Sequence, residues 1–267
     1  MQHLFDLKGK TALVTGASSG LGWRFAEVLS QAGATVIVTA RRLDRLEALA
    51  KEITAKGLQA RAVMMDVDCQ DAVRETISSL EQRGERIDIL VNNAGIGIKT
   101  PIFEPDQPDD FENVIQTNLI GVWHVTKHTA NHMKKNNIEG SIINIASVSG
   151  SNKTAKKTTS YCAAKAGVIQ LTKALVGELA AEKIRINCIL PGLFYTPMTD
   201  YKLKDPESRK DLEKAIPLGF VAKPEDLDGT LLLLASNKAS RYITGSHFTV
   251  DGGVSWQWHS VNLRSML

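Results

Sequence analysis

Thr11-Ala12-Leu13-Val14-Thr15-Gly16-Ala17-Ser18-Ser19-Gly20-Leu21-Gly22 is the stretch on which the fold turns. Residues 11–15 form a short apolar run, as a buried strand does. The glycines that follow, Gly16-x-x-x-Gly20-x-Gly22, permit a tight strand-to-helix turn and let backbone approach a pyrophosphate closely. A helix starting near Gly20 would offer free N–H groups and a positive dipole end to such an anion. The spacing differs from Gly-x-Gly-x-x-Gly, being looser between the first two glycines.

Outward from this turn the same rhythm repeats. Apolar runs at 11–15, 35–39, 60–65, 87–91, 141–145, 185–190 and 247–250 are short, and several are rich in Val and Ile. Strands buried on both faces have this composition. Between them lie helix-like stretches at 20–31, 43–56, 70–82, 109–135, 159–181 and 224–235. Repeated β-α order predicts an α/β fold, a doubly wound parallel sheet covered by helices on both faces. No linker or internal repeat interrupts it, so residues 1–267 read as a single domain. Two segments break the pattern. Residues 194–218 carry Pro197, Pro206 and Pro217 and are longer than an ordinary connection, as a substrate lid would be. The tail, 254–267, carries Trp256 and Trp258, suited to docking on a neighbouring subunit.

Hydrophobic residues make up 43% of the chain and charged residues 23%, enough to build a core. A net charge of +3, without a Lys/Arg run, argues against nucleic acid and anionic membrane as partners. The first ten residues are polar, and no run approaches the ~18 apolar residues of a membrane span. Cys69, Cys162 and Cys188 form no CxxC pair, which points to a reducing, cytoplasmic compartment.

Chemistry-bearing residues follow several of the strands. Asn92-Asn93-Ala94-Gly95 follows the fourth run and Ser147 the fifth. Tyr161 and Lys165 stand four apart in Tyr-Cys-Ala-Ala-Lys and share one face of a helix. An ammonium there is expected to lower the phenol pKa from about 10 toward neutrality, making Tyr161 a usable general acid or base.

Together these motifs resemble the short-chain dehydrogenase/reductase family in its single-domain form. The resemblance runs from about Leu7 to Gly253. It rests on the glycine turn, Asp66-Val67, Asn92-Asn93-Ala94-Gly95, Asn118, Ser147, Tyr161-x-x-x-Lys165, Pro191-Gly192 with Thr196, Thr244-Gly245 and Asp251-Gly252-Gly253. It implies a seven-stranded Rossmann-type sheet, matching the seven runs, and hydride transfer between a nicotinamide and a carbonyl or secondary alcohol. It implies roles residue by residue. Tyr161 exchanges the proton, Ser147 holds and polarises the carbonyl, and Lys165 serves both phenol and nicotinamide ribose. Asn118 anchors a water that relays protons toward Lys165. Gly16, Ser18, Ser19, Gly20, Leu21 and Gly22 form the phosphate turn. Asp66 and Val67 contact the adenine, and Asn93, Ala94 and Gly95 the cofactor floor. Pro191, Gly192 and Thr196 flank the nicotinamide and diphosphate. In the family the serine stands one residue nearer the tyrosine than the fourteen positions found here. Ser149, twelve before Tyr161, is therefore the other candidate.

The second strand ends Ala40-Arg41-Arg42, with no acid for the ribose hydroxyls. Guanidinium forks suit a 2′-phosphate, so NADP(H) is the expected cofactor. The resemblance points most to 3-oxoacyl-thioester reduction, with a sugar, polyol or gluconate-type dehydrogenase as alternative. A non-enzymatic dinucleotide sensor is a third reading, but such proteins generally lose the tyrosine or lysine. Lys153, Lys156 and Lys157, between Ser147 and Tyr161, with Lys99, Lys202 and Lys204, predict a pocket wall attractive to an anionic substrate. Family members pair the 109–135 and 159–181 helices, implying a homotetramer or homodimer. His124, His128 and His132 fall at successive i+4 positions but span ~12 Å, too far to share one ion. They are expected to face an interface or solvent, and no metal is expected.

Overall fold

A computed structural model of the protein describes residues 4–103, 110–154 and 156–256. Among these residues seven strands form one parallel sheet. They are β1 (Thr11–Thr15), β2 (Thr35–Ala40), β3 (Ala60–Met64), β4 (Ile89–Asn92), β5 (Ser141–Ile145), β6 (Arg185–Pro191) and β7 (His247–Val250). Their order is β3-β2-β1-β4-β5-β6-β7. The order reverses between β1 and β4, and a crevice opens beyond the strand ends at such a point.

Helices cover both faces, and β1 shows why. Ala12 and Val14 join a core with Phe25, Leu29, Leu46 and Leu231, whereas Leu13 joins another with Val73, Ile77, Val125 and Ile142. Alternate residues of a strand face opposite ways, so an uninterrupted apolar run demands cover on both sides. The first cover includes α1 (Gly20–Gln31), α2 (Leu43–Ala55) and the helix that carries Leu231; α3 (Gln70–Gln82) lies on the second face. A buried polar chain crosses the sheet. Asn92 Nδ2 donates to Thr126 Oγ1 at 2.9 Å and to Asn144 Oδ1 at 2.8 Å, and Asn144 Nδ2 donates to Thr172 Oγ1 at 2.9 Å.

Two of the expected helices are interrupted. Stretch 109–135 resolves into α4 (Phe111–Ile115), a π-helical turn (Gln116–Ile120) and α5 (Gly121–Lys135). Stretch 159–181 divides at Leu175 into α6 (Thr159–Ala174) and α7 (Val176–Ala181). Apolar periodicity reports a continuous amphipathic face and is blind to one extra residue in a turn. The insertion at 194–218 carries α8 (Asp200–Leu203) and α9 (Pro206–Lys214). A 3₁₀ turn (Pro224–Leu227) leads into α10 (Asp228–Ala235), followed by α11 (Asn237–Ser240). Pro224 starts that turn with Glu225 and Asp226 behind it, and Asp226 Oδ2 accepts from Lys223 N–H at 2.8 Å. Of the tail, Trp256 closes a 3₁₀ turn (Val254–Trp256) and is exposed; Trp258 lies outside the described residues.

The histidine stripe departs from expectation. His124 and His132 are buried within the chain, where α5 packs on α3, and His124 Nδ1 lies 3.3 Å from Val67 O. They do not face solvent. Burial holds the His128 and His132 imidazoles below their usual pKa, because desolvation disfavours the charged ring. Among the described residues no acidic, thiol and imidazole groups cluster as metal ligands, and no helix is long and apolar enough to cross a membrane.

Candidate active site

A cleft of about 520 Å³ lies beyond the strand ends. It is lined by Gly16, Ser18, Ser19, Gly20 and Leu21 of the first turn and by Ala40, Arg41 and Arg42 after β2. Met65, Asp66 and Val67 follow, then Asn93, Ala94, Gly95 and Ile96 after β4. Ile145, Ala146, Ser147, Tyr161 and Lys165 form the next wall. Pro191, Gly192, Phe194 and residues 196–199 complete it.

The floor is fixed by Thr15. Its Oγ1 accepts from Asn93 N–H and Ala94 N–H, both at 3.0 Å, and Asn93 Nδ2 donates back to Thr15 O at 3.0 Å and Gly16 O at 3.2 Å. Gly16 sits at φ +65°, and a Cβ there would lie 2.7 Å from Ala94 Cα. Gly22 does not line the cleft. A Cβ there would meet Asn93 Nδ2 at 2.4 Å and Gly16 O at 2.5 Å, so this glycine lets α1 pack under the turn. The third glycine therefore serves packing, while Gly16 and Gly20 border the cavity.

The start of α1 suits an anion. Its N-cap, Ser19, makes no side-chain capping bond, and the first turn carries no acid. Arg42 Nη2 donates to Ser18 Oγ at 2.8 Å and Ser19 Oγ at 3.2 Å, which brings a guanidinium to the rim of that turn. Arg41 is exposed and stands 3.9 Å from Asp68 Oδ2. Backbone donors, two hydroxyls and a guanidinium are the groups a phosphorylated dinucleotide needs.

Ser147 stands two residues beyond β5 and caps a 3₁₀ turn (Val148–Gly150), its Oγ accepting from Ser149 N–H at 3.1 Å. Gly150 lets this turn sit on α6: a Cβ there would be 2.4 Å from Lys165 C. The serine is thereby held beside the tyrosine despite the longer loop. Ser149 does not line the cleft. Burial pushes the phenol above its ordinary pKa, while the Ser147 hydroxyl pulls the other way. This corrects the expectation of a phenol depressed by Lys165. The Lys165 ammonium lies 5.7 Å from the ring centroid and donates to Ile145 O at 2.8 Å. Burial brings it down from 10.5 to about 8.

Asn118 stands behind the floor loop. It is fully buried in the π-helical turn and outside the cleft lining; its Oδ1 accepts from Ile96 N–H at 2.8 Å and its Nδ2 donates to Ile96 O at 2.8 Å. Its side chain holds the loop that follows Gly95. The lysine-rich stretch stands apart as well: Lys99, Lys153, Lys156, Lys157, Lys202 and Lys204 are not among the lining residues. Lys204 pairs with Asp200 at 2.7 Å. Sequence reasoning missed Ile96 and Ala146, apolar residues with no motif of their own, whereas Phe194, Pro197 and Met198 fall in the stretch expected as a lid. The only signal for Ile96 and Ala146 is adjacency to Gly95 and Ser147.

Comparisons with known proteins follow this geometry. The family model described as Enoyl-(Acyl carrier protein) reductase matches residues 16–255. The chain is 39% identical over 250 residues to a 3-oxoacyl-[acyl-carrier-protein] reductase FabG of Thermotoga maritima, covering 93% of this chain and 98% of that protein. It is 36% identical over 257 residues to a gluconate 5-dehydrogenase of Gluconobacter oxydans, covering 96% and 99%. Its fold matches the crystal structure of a gluconate 5-dehydrogenase from Burkholderia cenocepacia in complex with NADP and tartrate, with TM-score 0.90 and 34% identity over 96% of this chain and 99% of that one. A short-chain type dehydrogenase/reductase from Mycobacterium marinum matches with TM-score 0.88 and 39% identity over 95% and 98%. With matches spanning nearly all of both chains, this chain belongs to the short-chain dehydrogenase/reductase family.

Proposed function

We propose that the protein is an NADP(H)-dependent oxidoreductase that reduces the keto group of 3-oxoacyl thioesters. The observation that carries the substrate class is the wall beside Ser147 and Tyr161. Among the described residues, the apolar Ile96, Ala146, Phe194, Pro197 and Met198 line the cleft together with Ser147 and Tyr161. An acyl chain gains by leaving water on such a wall, whereas a polyhydroxy acid leaves hydroxyls unpaired there.

When bound, the nicotinamide supplies the hydride. Arg42, Ser18, Ser19 and the open start of α1 hold the cofactor's phosphates, and Asn93, Ala94 and Gly95 form its floor. Ser147 donates a hydrogen bond to the substrate carbonyl and polarises it. Tyr161, protonated at neutral pH as a phenol ordinarily is and kept so by burial, gives its proton to the carbonyl oxygen. Lys165, still cationic below about pH 8, offsets the negative charge left on the phenol. Asn118 keeps Ile96, and with it the floor loop, in place. The insertion at 194–218 acts as the lid.

The anionic carrier of such a thioester stays outside the cleft, where Lys156 and Lys157 are exposed beside the start of α6. Unpaired Cys69, Cys162 and Cys188 support a reducing, cytoplasmic setting. Apolar surface left exposed on α4 and α5 at Phe111 and Trp123, and at Ile120 between them, supports a homotetramer or homodimer, which light scattering measures.

The second reading, a gluconate-type dehydrogenase, is favoured by the relatives of that name. One assay separates them: NADPH oxidation with acetoacetyl-coenzyme A against NADP reduction with gluconate. Turnover of gluconate alone overturns the proposal. The cofactor is tested by Arg42→Ala, which is expected to weaken NADPH about 10- to 100-fold and leave NADH nearly unchanged, the loss of one guanidinium–phosphate contact.

A further inference from the structure

One residue of the cleft lining packs on the loop that leaves β4. Met198, just ahead of α8, lines the cleft. Gly97 lies on the loop that leaves β4. A Cβ at Gly97 would stand 3.2 Å from Met198 Sδ, 3.5 Å from its Cγ and 3.9 Å from its Cε. The thioether therefore rests on bare backbone, and a side chain at position 97 shifts it by a few tenths of an ångström.

The two partners differ in how firmly they are held. The Gly97 loop is anchored on both sides. Asn118 clamps Ile96 through both of its backbone groups. Thr100 N–H donates to Lys157 O at 2.7 Å, and Thr100 Oγ1 shares a hydrogen bond with Ser160 Oγ at 3.0 Å. Met198 is the side that yields. It is 45% exposed, unbranched and rotatable about three bonds, and it leads into an insertion whose longer helix, α9, buries no residue. Ile96, Phe194 and Pro197 line the same cleft. Farther along the anchored loop, Ile102 and Phe103 are 84% and 91% exposed.

We propose that Met198 closing on Gly97 is the specificity-determining gate of the site. The methionine lies over the acyl chain of the substrate, and its seat on Gly97 sets the preference for linear chains long enough to fill the space beneath it. This rests on the 3-oxoacyl reading above and adds which residues select among such substrates.

The test compares kcat/KM for 3-oxobutanoyl- and 3-oxooctanoyl-coenzyme A in the wild type, Met198→Ala, Met198→Leu and Gly97→Ala. The wild type should favour the longer chain. Met198→Ala should lose about tenfold on the longer substrate and less than about threefold on the shorter, from the apolar contact removed. Gly97→Ala should show the same selective loss, because its methyl displaces the thioether. Met198→Leu, of similar volume, should restore most of the preference. NADPH affinity and melting temperature should be unchanged in all three variants. If the wild type reduces both thioesters and the chain-length ratio is the same in all four proteins, the gate is wrong and the reductase reading stands. If the wild type reduces neither, the reductase reading falls and the acyl gate falls with it.

Discussion

Gly16 and Gly219 both hold positive φ angles, +65° and +79°, yet their surroundings are opposite. A Cβ on Gly16 would strike the backbone of Ala94 at 2.7 Å, whereas nothing lies within 4 Å of one on Gly219. The same contrast holds between the floor, to which Gly16 belongs, and the insertion at 194–218, which Gly219 adjoins. The floor of the cleft is tied to the sheet by Thr15, Asn93 and the turn that Ser147 caps. The insertion is held by a small cluster of Leu203, Ile216 and Val221, and its charges pair locally, Arg209 with Glu213 and Lys204 with Asp200. Reaction geometry needs fixed groups, and substrate entry needs a wall that gives. The molecule divides those tasks between two regions of different packing.

The largest effect is expected at the floor. Tyr161→Phe should lower turnover by ~10²–10⁴ while NADPH affinity, measured by fluorescence titration, changes little. A variant that kept more than about a tenth of the rate would remove Tyr161 as proton donor. Next come the two glycines. Gly16→Ala adds overpacking of ~1–3 kcal/mol to a positive-φ cost of ~1–2 kcal/mol and should also weaken the cofactor. Gly219→Ala should show only the backbone cost. Equal losses in urea unfolding would abolish the contrast between floor and insertion.

Lys165 sharpens the comparison through pH. Its ammonium is disfavoured in the fold, titrating at about 8 instead of 10.5. Reduction should therefore fall as pH rises through about 8, when the cation beside Tyr161 is lost. For stability the sign is the reverse. The unfolded chain holds this proton up to 10.5 and the fold releases it from about 8, so stability rises with pH across that window. Lys165→Met should abolish turnover at pH 7 and yet raise stability by ~1–2 kcal/mol, after allowing for the lost bond to Ile145 O. A lower melting temperature in that variant would show that the lysine stabilises the floor. The smallest effect belongs to the insertion: Lys204→Met and Arg209→Ala, both at exposed ion pairs, should leave the melting temperature unchanged.

Much of this was legible in the residues. Seven apolar runs marked seven strands, because a strand buried on both faces must be apolar throughout and cannot hide among amphipathic helices. The glycine turn, Asn93-Ala94-Gly95, Ser147 and Tyr161 with Lys165 were legible because each chemistry needs particular residue types at fixed local spacing. Tertiary structure alone decided the rest. It placed Gly22 under the turn instead of on the cavity, turned Asn118 to Ile96, and buried His124 and His132 against α3. It left the lysines of 153–157 outside the cleft lining and brought Met198 onto Gly97. It also reversed the expected direction of the Tyr161 pKa, since a neighbour four residues away is visible in the sequence and the desolvation by the packed wall around it is not. Local spacing specifies which groups share a face; what that face meets depends on segments a hundred residues apart, and only the packed chain brings them together.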